Sequence, residues 1–463
     1  MSYSAYITTL KNVRKHPNAD RLLLAECFGN TVCVGLDYTE GQIGLYLPVD
    51  GQLSEEFATV NNLVRKKDDA GNNIGGYLDP AKRNIQAIRL RGEKSDGLFL
   101  PLSCLKYTGV DLNSLNVGDA ITIVNGHEIC QKYIPRSNAR KIGERAGNKT
   151  RKKKMPIAPL FAEHADTEQL AYNLSAFKPG DQIEITLKMH GTSQRTGYLP
   201  VLKGYKRTLL DKLLRREGTP IYDWGYVSGT RRTVLENYDG GYYGDNSFRE
   251  EHSKMFEGKL WKGETVYYEV VGYTKDGGTI MGKANNKKIN DKEFIKQYGE
   301  TTVFSYGCRP LGVDINISYF EGNIEEGIVK EYPQSDMYVY RMTMTNEDGQ
   351  VIEYTPDFMR YRCEMMGVKT VPVFTQFYLD PVALEFETRT PGEIIQNCAE
   401  CYYDGPDPIG KTHVREGVVV RIVNRPKFTA YKHKNFSFKV LEGIIKNDAT
   451  VPDMEEAQDV SQN

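Results

Sequence analysis

A lysine interrupts an apolar, strand-like run, and its position suggests covalent chemistry. The run is "ITLKMHGTS", residues 185–193, and the cation is Lys188. Because successive side chains of a strand alternate between its two faces, Lys188 shares a face with Glu184 and Thr186, opposite the apolar side chains. The pattern predicts that Lys188 points into a groove above the sheet. The glycine of the turn that follows, Gly191, would allow a ligand to approach the backbone closely.

A lysine attacks an electrophile only when its amine is neutral. The reference pKa of the side chain is about 10.4, so near neutral pH desolvation or a neighbouring cation must displace the proton. A groove that also binds a triphosphate and a metal supplies such surroundings. The pattern K-x-H-G is weak on its own, because a surface lysine on an edge strand has the same pattern.

Four further segments place charged side chains at the margins of apolar strands. They are Glu269 in "VYYEVVGY", Glu416 in "REGVVVRIV", Lys439 in "NFSFKVLEG", and Arg231 and Arg232 in "VSGTRRT". Each alone fits a structural salt bridge, because a buried charge is costly unless it is paired. Together with the lysine of "KMHG" they form the inventory for a nucleotide phosphate and a divalent metal in one cleft.

The order of these motifs resembles the covalent nucleotidyltransferase superfamily of ATP-dependent ligases and RNA capping enzymes. The matching segments are "KMHG", "YYEVVG", "YVYRMT", "EGVVVR" and "FSFKV", which follow the order of the family from residue 188 to residue 439. One such match arises easily by chance, whereas five in order favour a relationship.

The resemblance implies ATP as the substrate nucleotide, Mg²⁺ or Mn²⁺ as the metal, and a role for each matching residue. Lys188 would be the nucleophile that carries AMP, and His190, Gly191 and Ser193 would complete its motif. Glu269 would bind the metal or the ribose, and Glu416 would bind the metal. Tyr340 would stack on the adenine above Val419, Lys439 would bind the α-phosphate, and Arg231 or Arg232 would bind a phosphate.

Three positions depart from the DNA ligase pattern. His190 stands where many DNA ligases have aspartate, as in RNA ligases of the "KxHGT" type, and Ser193 stands where arginine is common. The final motif often has two lysines one residue apart, and Ser437 occupies the first place, so Lys434 is a possible substitute. These differences favour an RNA ligase.

The predicted fold class is α+β: an N-terminal OB-like β-barrel followed by an antiparallel-sheet nucleotidyltransferase domain of the ATP-grasp-like ligase and capping type. The predicted boundaries are 1–130 for the OB-fold nucleic-acid-binding domain, 131–156 for a basic linker, 157–443 for the adenylyltransferase domain and 444–463 for an acidic tail. The OB-fold assignment of residues 1–130 rests on short β-rich runs that are separated by turn residues.

Composition limits the remaining function classes. The chain has 463 residues, of which 40% are hydrophobic, and a formal net charge of -1, so total charge indicates no partner. There is no run of about 18 apolar residues, so no membrane span is predicted. The eight scattered cysteines favour a reducing, cytoplasm-like compartment. The close pair Cys398 and Cys401 lacks the second ligand pair of a zinc site.

An OB module before a "KMHGTS" core resembles the Deinococcus-type RNA ligases. That resemblance implies sealing of 5′-phosphate and 3′-hydroxyl ends through lysyl-AMP, at nicks in duplexes with RNA on the 3′-hydroxyl side. One alternative is a GTP-dependent mRNA capping guanylyltransferase, whose OB domain usually follows the last motif, whereas only residues 440–463 follow Lys439. The other is a non-catalytic OB-fold RNA-binding adaptor, which has no need of the lysine and both glutamates.

Overall fold

The computed structural model of the chain describes residues 3–71, 73–135, 157–214, 218–235, 238, 246–310, 313–320 and 323–447. The predicted basic linker lies outside the described residues from residue 136 onward. The predicted acidic tail lies outside them from residue 448 onward.

The strands follow in chain order. The first fifteen are β1 Ala5–Thr9, β2 Lys11–Lys15, β3 Leu23–Cys27, β4 Asn30–Val34, β5 Ile43–Leu47, β6 Gly51–Leu53, β7 Lys66–Lys67, β8 Asn73–Gly75, β9 Ala87–Leu90, β10 Glu93–Asp96, β11 Leu98–Pro101, β12 Ala120–Ile121, β13 Ile123–Val124, β14 His127–Glu128 and β15 Cys130–Lys132. The others are β16 Glu168–Gln169, β17 Gln182–Leu187, β18 Thr192–Lys206, β19 Thr219–Gly229, β20 Glu264–Gly272, β21 Ala284–Asn285, β22 Thr301–Thr302, β23 Val313–Phe320, β24 Asn323–Glu331, β25 Ser335–Thr345, β26 Val351–Glu353, β27 Val373–Tyr378, β28 Gly417–Ile422 and β29 Thr429–Lys434.

Helices are fewer than strands in the described part of the chain. The α-helices are α1 Glu55–Val60, α2 Leu209–Leu213, α3 Ser247–Lys254, α4 Lys292–Tyr298, α5 Pro356–Met366, α6 Pro381–Leu384, α7 Pro391–Glu400 and α8 Phe436–Asn447. Short 3₁₀ turns lie at Leu102–Thr108, Leu112–Ser114, Leu170–Tyr172, Leu174–Ala176 and Asn286–Ile289. None of these helices is long and apolar enough to cross a bilayer.

The first of two compact units comprises residues 1–136, 284–301 and 435–449. It contains a four-stranded sheet, β11-β5-β1-β12, and a three-stranded sheet, β2-β3-β4. None of the sheets formed by its described residues closes into a barrel, so the OB-fold prediction is not confirmed, although the region is mainly β. The predicted boundaries place 284–301 and 435–443 in the nucleotidyltransferase domain and 444–449 in the acidic tail.

The second unit comprises residues 137–283, 302–434 and 450–463. Its described part is built on two five-stranded sheets, β16-β29-β28-β17-β27 and β19-β18-β20-β25-β26. Every pairing within them is antiparallel except the short β16–β29 contact. The mixed α+β class with mostly antiparallel sheets is therefore confirmed.

Strand β17 shows why alternation places the lysine on a polar face. Ile183 and Ile185 pack into a buried apolar cluster with Val418 and Val420 of the neighbouring strand β28. Glu184, on the opposite face, accepts hydrogen bonds of 2.6 Å from Arg360 and Gln376. Both faces of this strand are buried, and one of them is polar and paired.

One secondary-structure prediction is wrong. The segment "FSFKV" is not a strand but the first turns of α8, because Asn435 caps a helix there: its side-chain oxygen accepts a hydrogen bond of 3.1 Å from the backbone nitrogen of Phe438. Apolar residues at alternate positions, Phe436, Phe438 and Val440, imitate a strand. The strand predictions around Lys188, Glu269 and Glu416 are confirmed.

A buried ion pair attaches α5 to β20. Two guanidinium nitrogens of Arg362 each lie 2.8 Å from an oxygen of the Glu264 carboxylate. The Tyr354 hydroxyl donates a hydrogen bond of 3.1 Å to the same carboxylate. The side chain of Arg362 is 2% exposed and that of Glu264 is fully buried. This pair holds the strand that carries Glu269.

We expect Glu264→Gln to lower the free energy of unfolding by about 3–5 kcal/mol, because removing one partner leaves a buried, uncompensated guanidinium. Urea unfolding measures the loss. The matched control is Glu250→Gln, which breaks the exposed pair with Lys254 and should change stability little. Equal losses in the two variants would contradict the role of the buried pair.

Candidate active site

Lys188 follows the last residue of β17 and faces a buried carboxylate. Its backbone nitrogen donates a hydrogen bond of 3.0 Å to the Gly417 carbonyl, which continues the β17–β28 pairing by one residue. Its Nζ lies 2.7 Å from Oε1 of Glu416, and its side chain is 16% exposed. The lysine is thus accessible from one side and held by an anion on the other.

Glu416 is the centre of the cluster. Its carboxylate is 1% exposed and also lies 3.4 Å from Lys434 Nζ and 3.6 Å from His190 Nδ1. Burial alone raises the pKa of Glu416, but the charges of Lys188 and Lys434 and the hydrogen bond from His190 outweigh burial and lower the pKa to about 2. The carboxylate is therefore ionised at neutral pH.

The register of three strands aligns these groups. Residues directly opposite each other in antiparallel strands point to the same face, and Gly417 stands opposite Lys434 while Val419 stands between Thr186 and Lys432. Val419 is the one partly exposed side chain of β28, all of whose residues are described. The face above β28 is therefore open at Val419 and flanked by lysines.

A glycine is required at position 417, which follows Glu416 and stands opposite Lys434. Its φ of +142° lies in the region that favours glycine, and a Cβ at this position would lie 2.1 Å from the His433 carbonyl oxygen. A side chain would push β28 and β29 apart and move Lys434 away from Glu416.

The structure separates the two lysines considered for the final motif. Lys434, at the end of β29, contacts Glu416, and Lys432 stands two residues before it on the same face. Lys439 belongs to α8 of the first unit, where its Nζ lies 2.5 Å from Asp96. The pattern of two lysines one residue apart is present in "YKHKN", and it is the signal that could have identified them.

Tyr306 is a site residue that sequence reasoning missed. The backbone nitrogen of His190 donates a hydrogen bond of 2.7 Å to its hydroxyl oxygen. Burial raises the pKa of Tyr306, this hydrogen bond opposes the effect, and the charges of Glu416 and Glu269 raise the pKa further. Both glutamates that the sequence singles out therefore act on one buried phenol, which remains neutral.

A rigid layer supports Tyr306. Its ring makes an edge contact with His413 at 4.5 Å between centroids, and Gly410 packs so closely that a Cβ would lie 2.4 Å from the backbone nitrogen of Gly307. Asp407 fixes this loop by accepting hydrogen bonds from the backbone nitrogens of residues 409, 410 and 412. No local sequence pattern marks this arrangement, because its two segments are about a hundred residues apart.

The second sheet presents Glu269 and Ser193. They are directly opposite each other on β20 and β18, and Glu269 is the one side chain of β20 that is not fully buried, among nine described residues. The Ser193 hydroxyl lies 3.0 Å from that of Tyr340, which also lies 3.2 Å from His164 Nδ1. Burial and then the charge of Glu269 raise the pKa of Tyr340. The side chains of Glu269, Ser193 and Tyr340 therefore lie in the same environment.

Arg231 and Arg232 share a single carboxylate. Their guanidinium nitrogens lie 2.6 and 3.3 Å from the two oxygens of Asp166. Burial and then the charge of Arg231 lower the pKa of His164, which falls to about 3. The charge of Arg231 also acts on Tyr340, so of the two arginines Arg231 belongs with this group.

Gly191 has a packing role in the described structure. A Cβ there would lie 2.6 Å from the Val270 carbonyl oxygen of β20. The missing side chain therefore permits the turn after Lys188 to approach β20, and the close approach of a ligand at Gly191 stays a prediction. The buried Arg249 holds the next residues from the other side, since its guanidinium donates to the Ser193 carbonyl at 3.3 Å.

The donor set suits a hard divalent cation that also binds phosphate. Among the described residues no group of three or more His, Cys, Asp or Glu is placed to hold a metal alone. Mg²⁺ in phosphoryl-transfer sites is held by one or two carboxylates together with substrate phosphates and water. Glu416 and Glu269 provide two carboxylates of that kind.

We expect the Glu416 ion cluster to lose its contribution to stability as the pH falls from about 4.5 to about 2. The pKa of a depressed carboxyl group lies below its unfolded value of 4.5, so the contribution is complete above that value and disappears on protonation. Urea unfolding of wild type and Glu416→Gln at a series of pH values measures it.

In Lys188→Met the loss should be smaller and should end at a higher pH, because without the nearest cation the folded-state pKa of Glu416 is less depressed, whereas Lys254→Met, which removes an exposed lysine, should leave the midpoint unchanged. If the stability loss of the wild type had its midpoint near pH 4.5, the result would contradict the proposed stabilisation of the Glu416 carboxylate by its cations.

Solved structures with this fold include RNA ligases of Naegleria gruberi. A lysine-to-alanine variant with ATP and Mn matches with a TM-score of 0.51 and 16% identity, over 95% of this chain and 98% of that chain. A glutamate-to-alanine variant with ATP and Mn gives 0.52 and 16%, over 94% and 98%. The ligase with PPi gives 0.51 and 17%, over 94% and 97%.

No protein-family model and no curated protein matches the chain. At such low identity the structural likeness concerns the fold alone: the chain has the fold of an RNA ligase along nearly its whole length. These neighbours are not of the Deinococcus type, so that narrower prediction stays a prediction.

Proposed function

We propose that this protein is an ATP-dependent RNA ligase that carries AMP on Lys188. The observation that carries the proposal is the buried Glu416 carboxylate with Lys188 at 2.7 Å and Lys434 at 3.4 Å. A purely structural ion pair needs one cation, whereas two lysines and a histidine on one carboxylate form a site prepared for additional negative charge. The fold shared with RNA ligases supports the same conclusion.

In the first step the neutral Nζ of Lys188 attacks the α-phosphorus of ATP. An N–P bond forms, the bond from that phosphorus to the β-phosphate oxygen breaks, pyrophosphate leaves and the amine loses a proton. Lys432 and Lys434 stabilise the charge that develops on the phosphate oxygens.

Glu416 and Glu269 would hold the divalent metal, which when bound neutralises phosphate charge. The other residues position the nucleotide. Val419 offers an apolar surface to the adenine, as the sequence analysis expects, and Tyr340 and Ser193 lie with Glu269 on the neighbouring sheet. Arg231 is the better candidate of the two arginines for a phosphate contact. The exposure and contacts of these residues support the proposed roles, since phosphoryl transfer depends mainly on positioning and charge stabilisation.

In the second step an oxygen of an RNA 5′-phosphate attacks the phosphorus of lysyl-AMP, and the N–P bond breaks with return of a proton to the lysine. In the third step a 3′-hydroxyl attacks the activated 5′-phosphorus, AMP leaves, a proton is released and a phosphodiester forms. The proposed substrate is a nick with RNA on its 3′-hydroxyl side, joined in a reducing, cytoplasm-like compartment.

With α-labelled ATP and Mg²⁺ or Mn²⁺, we expect the wild type to retain label on a denaturing gel. Lys188→Arg should retain none, because arginine keeps the charge but cannot lose its proton to act as a nucleophile. Lys254→Arg is the matched control at an exposed lysine. Label from GTP alone would indicate a capping guanylyltransferase, and label from neither nucleotide would indicate a non-catalytic adaptor.

Lys434→Met and Lys432→Met should reduce the rate of lysyl-AMP formation about 100-fold or more, the order expected when a charge-stabilising donor is removed. Lys439→Met should reduce it less, because the described contacts of that lysine are with Asp96 and Asn30. Single-turnover labelling measures the three rates. A loss in Lys439→Met as large as in the other two variants would instead support the role that the motif order implies for Lys439.

A further inference from the structure

Two cysteines at the end of α7 lie in the unit that contains Lys188, outside the residues of the candidate active site. Cys398 is half-buried and packs against the apolar cluster of β17 and β28, whereas Cys401 is exposed. The other six cysteines of the chain are buried, apart from the half-buried Cys33. A reagent in solution therefore reaches the thiol of Cys401 first.

The last turn of α7 brings the two side chains of this pair into line. The backbone nitrogen of Cys401 donates to the Cys398 carbonyl at 3.2 Å as well as to the Asn397 carbonyl at 3.3 Å. That of Tyr402 donates to the Ala399 carbonyl at 3.1 Å. Hydrogen bonds to the third preceding residue are those of a 3₁₀ helix, in which side chains three residues apart eclipse. The thiols of Cys398 and Cys401 therefore lie on the same side of the helix.

A disulfide between these two residues would strain the end of the helix. The Cβ atoms of residues three apart in a helix are about 5–6 Å from each other, whereas a disulfide needs about 3.5–4.5 Å. The last turn of α7 must therefore move by about 1 Å to close the bond. Strained or exposed disulfides are easily reduced again, which is typical of regulatory disulfides.

Tyr402, which follows the pair, supports the segment that carries Glu416. Its carbonyl accepts a hydrogen bond of 2.5 Å from the guanidinium of Arg415, the residue before Glu416. Its ring stacks on Phe374 of β27 with 5.4 Å between centroids, and the Arg415 guanidinium lies 4.8 Å from the centroid of the Phe374 ring. A movement of the last turn of α7 would therefore reach the buried carboxylate through one intervening residue.

Tyr403 contacts the strand that carries the cations of the site. Its backbone nitrogen donates to the Ala399 carbonyl of α7 at 3.0 Å, and its ring stacks on His433 with 4.7 Å between centroids. His433 stands in β29 between Lys432 and Lys434, the lysines that the proposed function assigns to charge stabilisation. The end of α7 is thus connected to both of these lysines through a single side chain.

We propose that Cys398 and Cys401 form a reversible disulfide, and that its closure slows lysyl-AMP formation by displacing the two tyrosines that follow. The regulatory part of this proposal rests on the proposed ligase function, whereas formation of the disulfide does not.

The oxidant is a small disulfide such as oxidised glutathione. The thiolate of Cys401 attacks one sulfur of this disulfide, the bond between the two glutathione sulfurs breaks, and one glutathione leaves. The thiol of Cys398 then loses its proton and attacks the Cys401 sulfur of the mixed disulfide, so that the internal bond forms and the second glutathione leaves. The protein gives up two electrons and two protons, which reduce oxidised glutathione to two thiols.

Mass spectrometry of peptides tests whether the disulfide forms. The full-length protein is equilibrated with oxidised glutathione and alkylated, so that free thiols are counted at each cysteine. The wild type should lose both thiols of the pair without retaining glutathione, and dithiothreitol should restore them. In Cys398→Ala a mixed disulfide with glutathione should remain at Cys401. Cys33→Ala is the matched control at another accessible cysteine and should leave the pair as in wild type.

Single-turnover labelling with α-labelled ATP tests the effect on the site. Oxidation should slow the wild type about tenfold or more, because a misplacement of about 1 Å can cost about 100-fold in rate, and dithiothreitol should restore the rate. Cys401→Ala should label at the rate of the reduced wild type under both conditions, because it cannot form the disulfide.

Glutathione retained on Cys401 of the wild type, or survival of both thiols, would overturn the disulfide. Equal labelling rates of oxidised and reduced wild type would overturn its regulatory effect, and so would equal slowing in Cys401→Ala. Failure of the reduced wild type to label would count against the ligase function and not against the disulfide. Hydrogen exchange of β29 then measures the displacement without catalysis, and unchanged exchange on oxidation would contradict it.

Discussion

A buried carboxylate surrounded by cations is the constraint on which the site depends. Glu416 is 1% exposed, and an ionised carboxylate at such a position costs several kcal/mol unless cations and hydrogen bonds compensate it. Its partners come from three places in the chain: Lys188 after β17, His190 in the turn that follows, and Lys434 at the end of β29. The carboxylate therefore stabilises the arrangement of these segments and, in turn, holds the proposed nucleophile.

Two sheets supply the side chains needed for the proposed reaction. The sheet with β17, β28 and β29 supplies Lys188 and the row of cations, and the sheet with β18, β20 and β25 supplies the second carboxylate and the group around Tyr340. Tyr306 connects them, since its hydroxyl accepts from the His190 backbone and both glutamates act on its pKa. A reaction that gains its rate from positioning and charge stabilisation needs such fixed supports.

The local sequence pattern was sufficient to predict the strands around Lys188, Glu269 and Glu416. Alternation with period two depends only on neighbouring residues, so it survives without knowledge of the fold. The same rule failed at "FSFKV", where alternate apolar residues belong to a helix. The capping side chain of Asn435 decides between the two, because it satisfies a backbone nitrogen that a helix would otherwise leave unpaired at its start.

The sequence by itself determined the mixed α+β class, the strands around the proposed nucleophile and both glutamates, and the resemblance to ligases and capping enzymes, because these rest on local periodicity and motif order. Only the tertiary structure decided which later lysine contacts Glu416, since this follows from the register of β28 and β29 around Gly417. It also decided that residues 284–301 and 435–449 belong with the N-terminal unit and that Tyr306 supports His190. These relations join segments far apart in the chain, and such contacts form only when the whole unit folds.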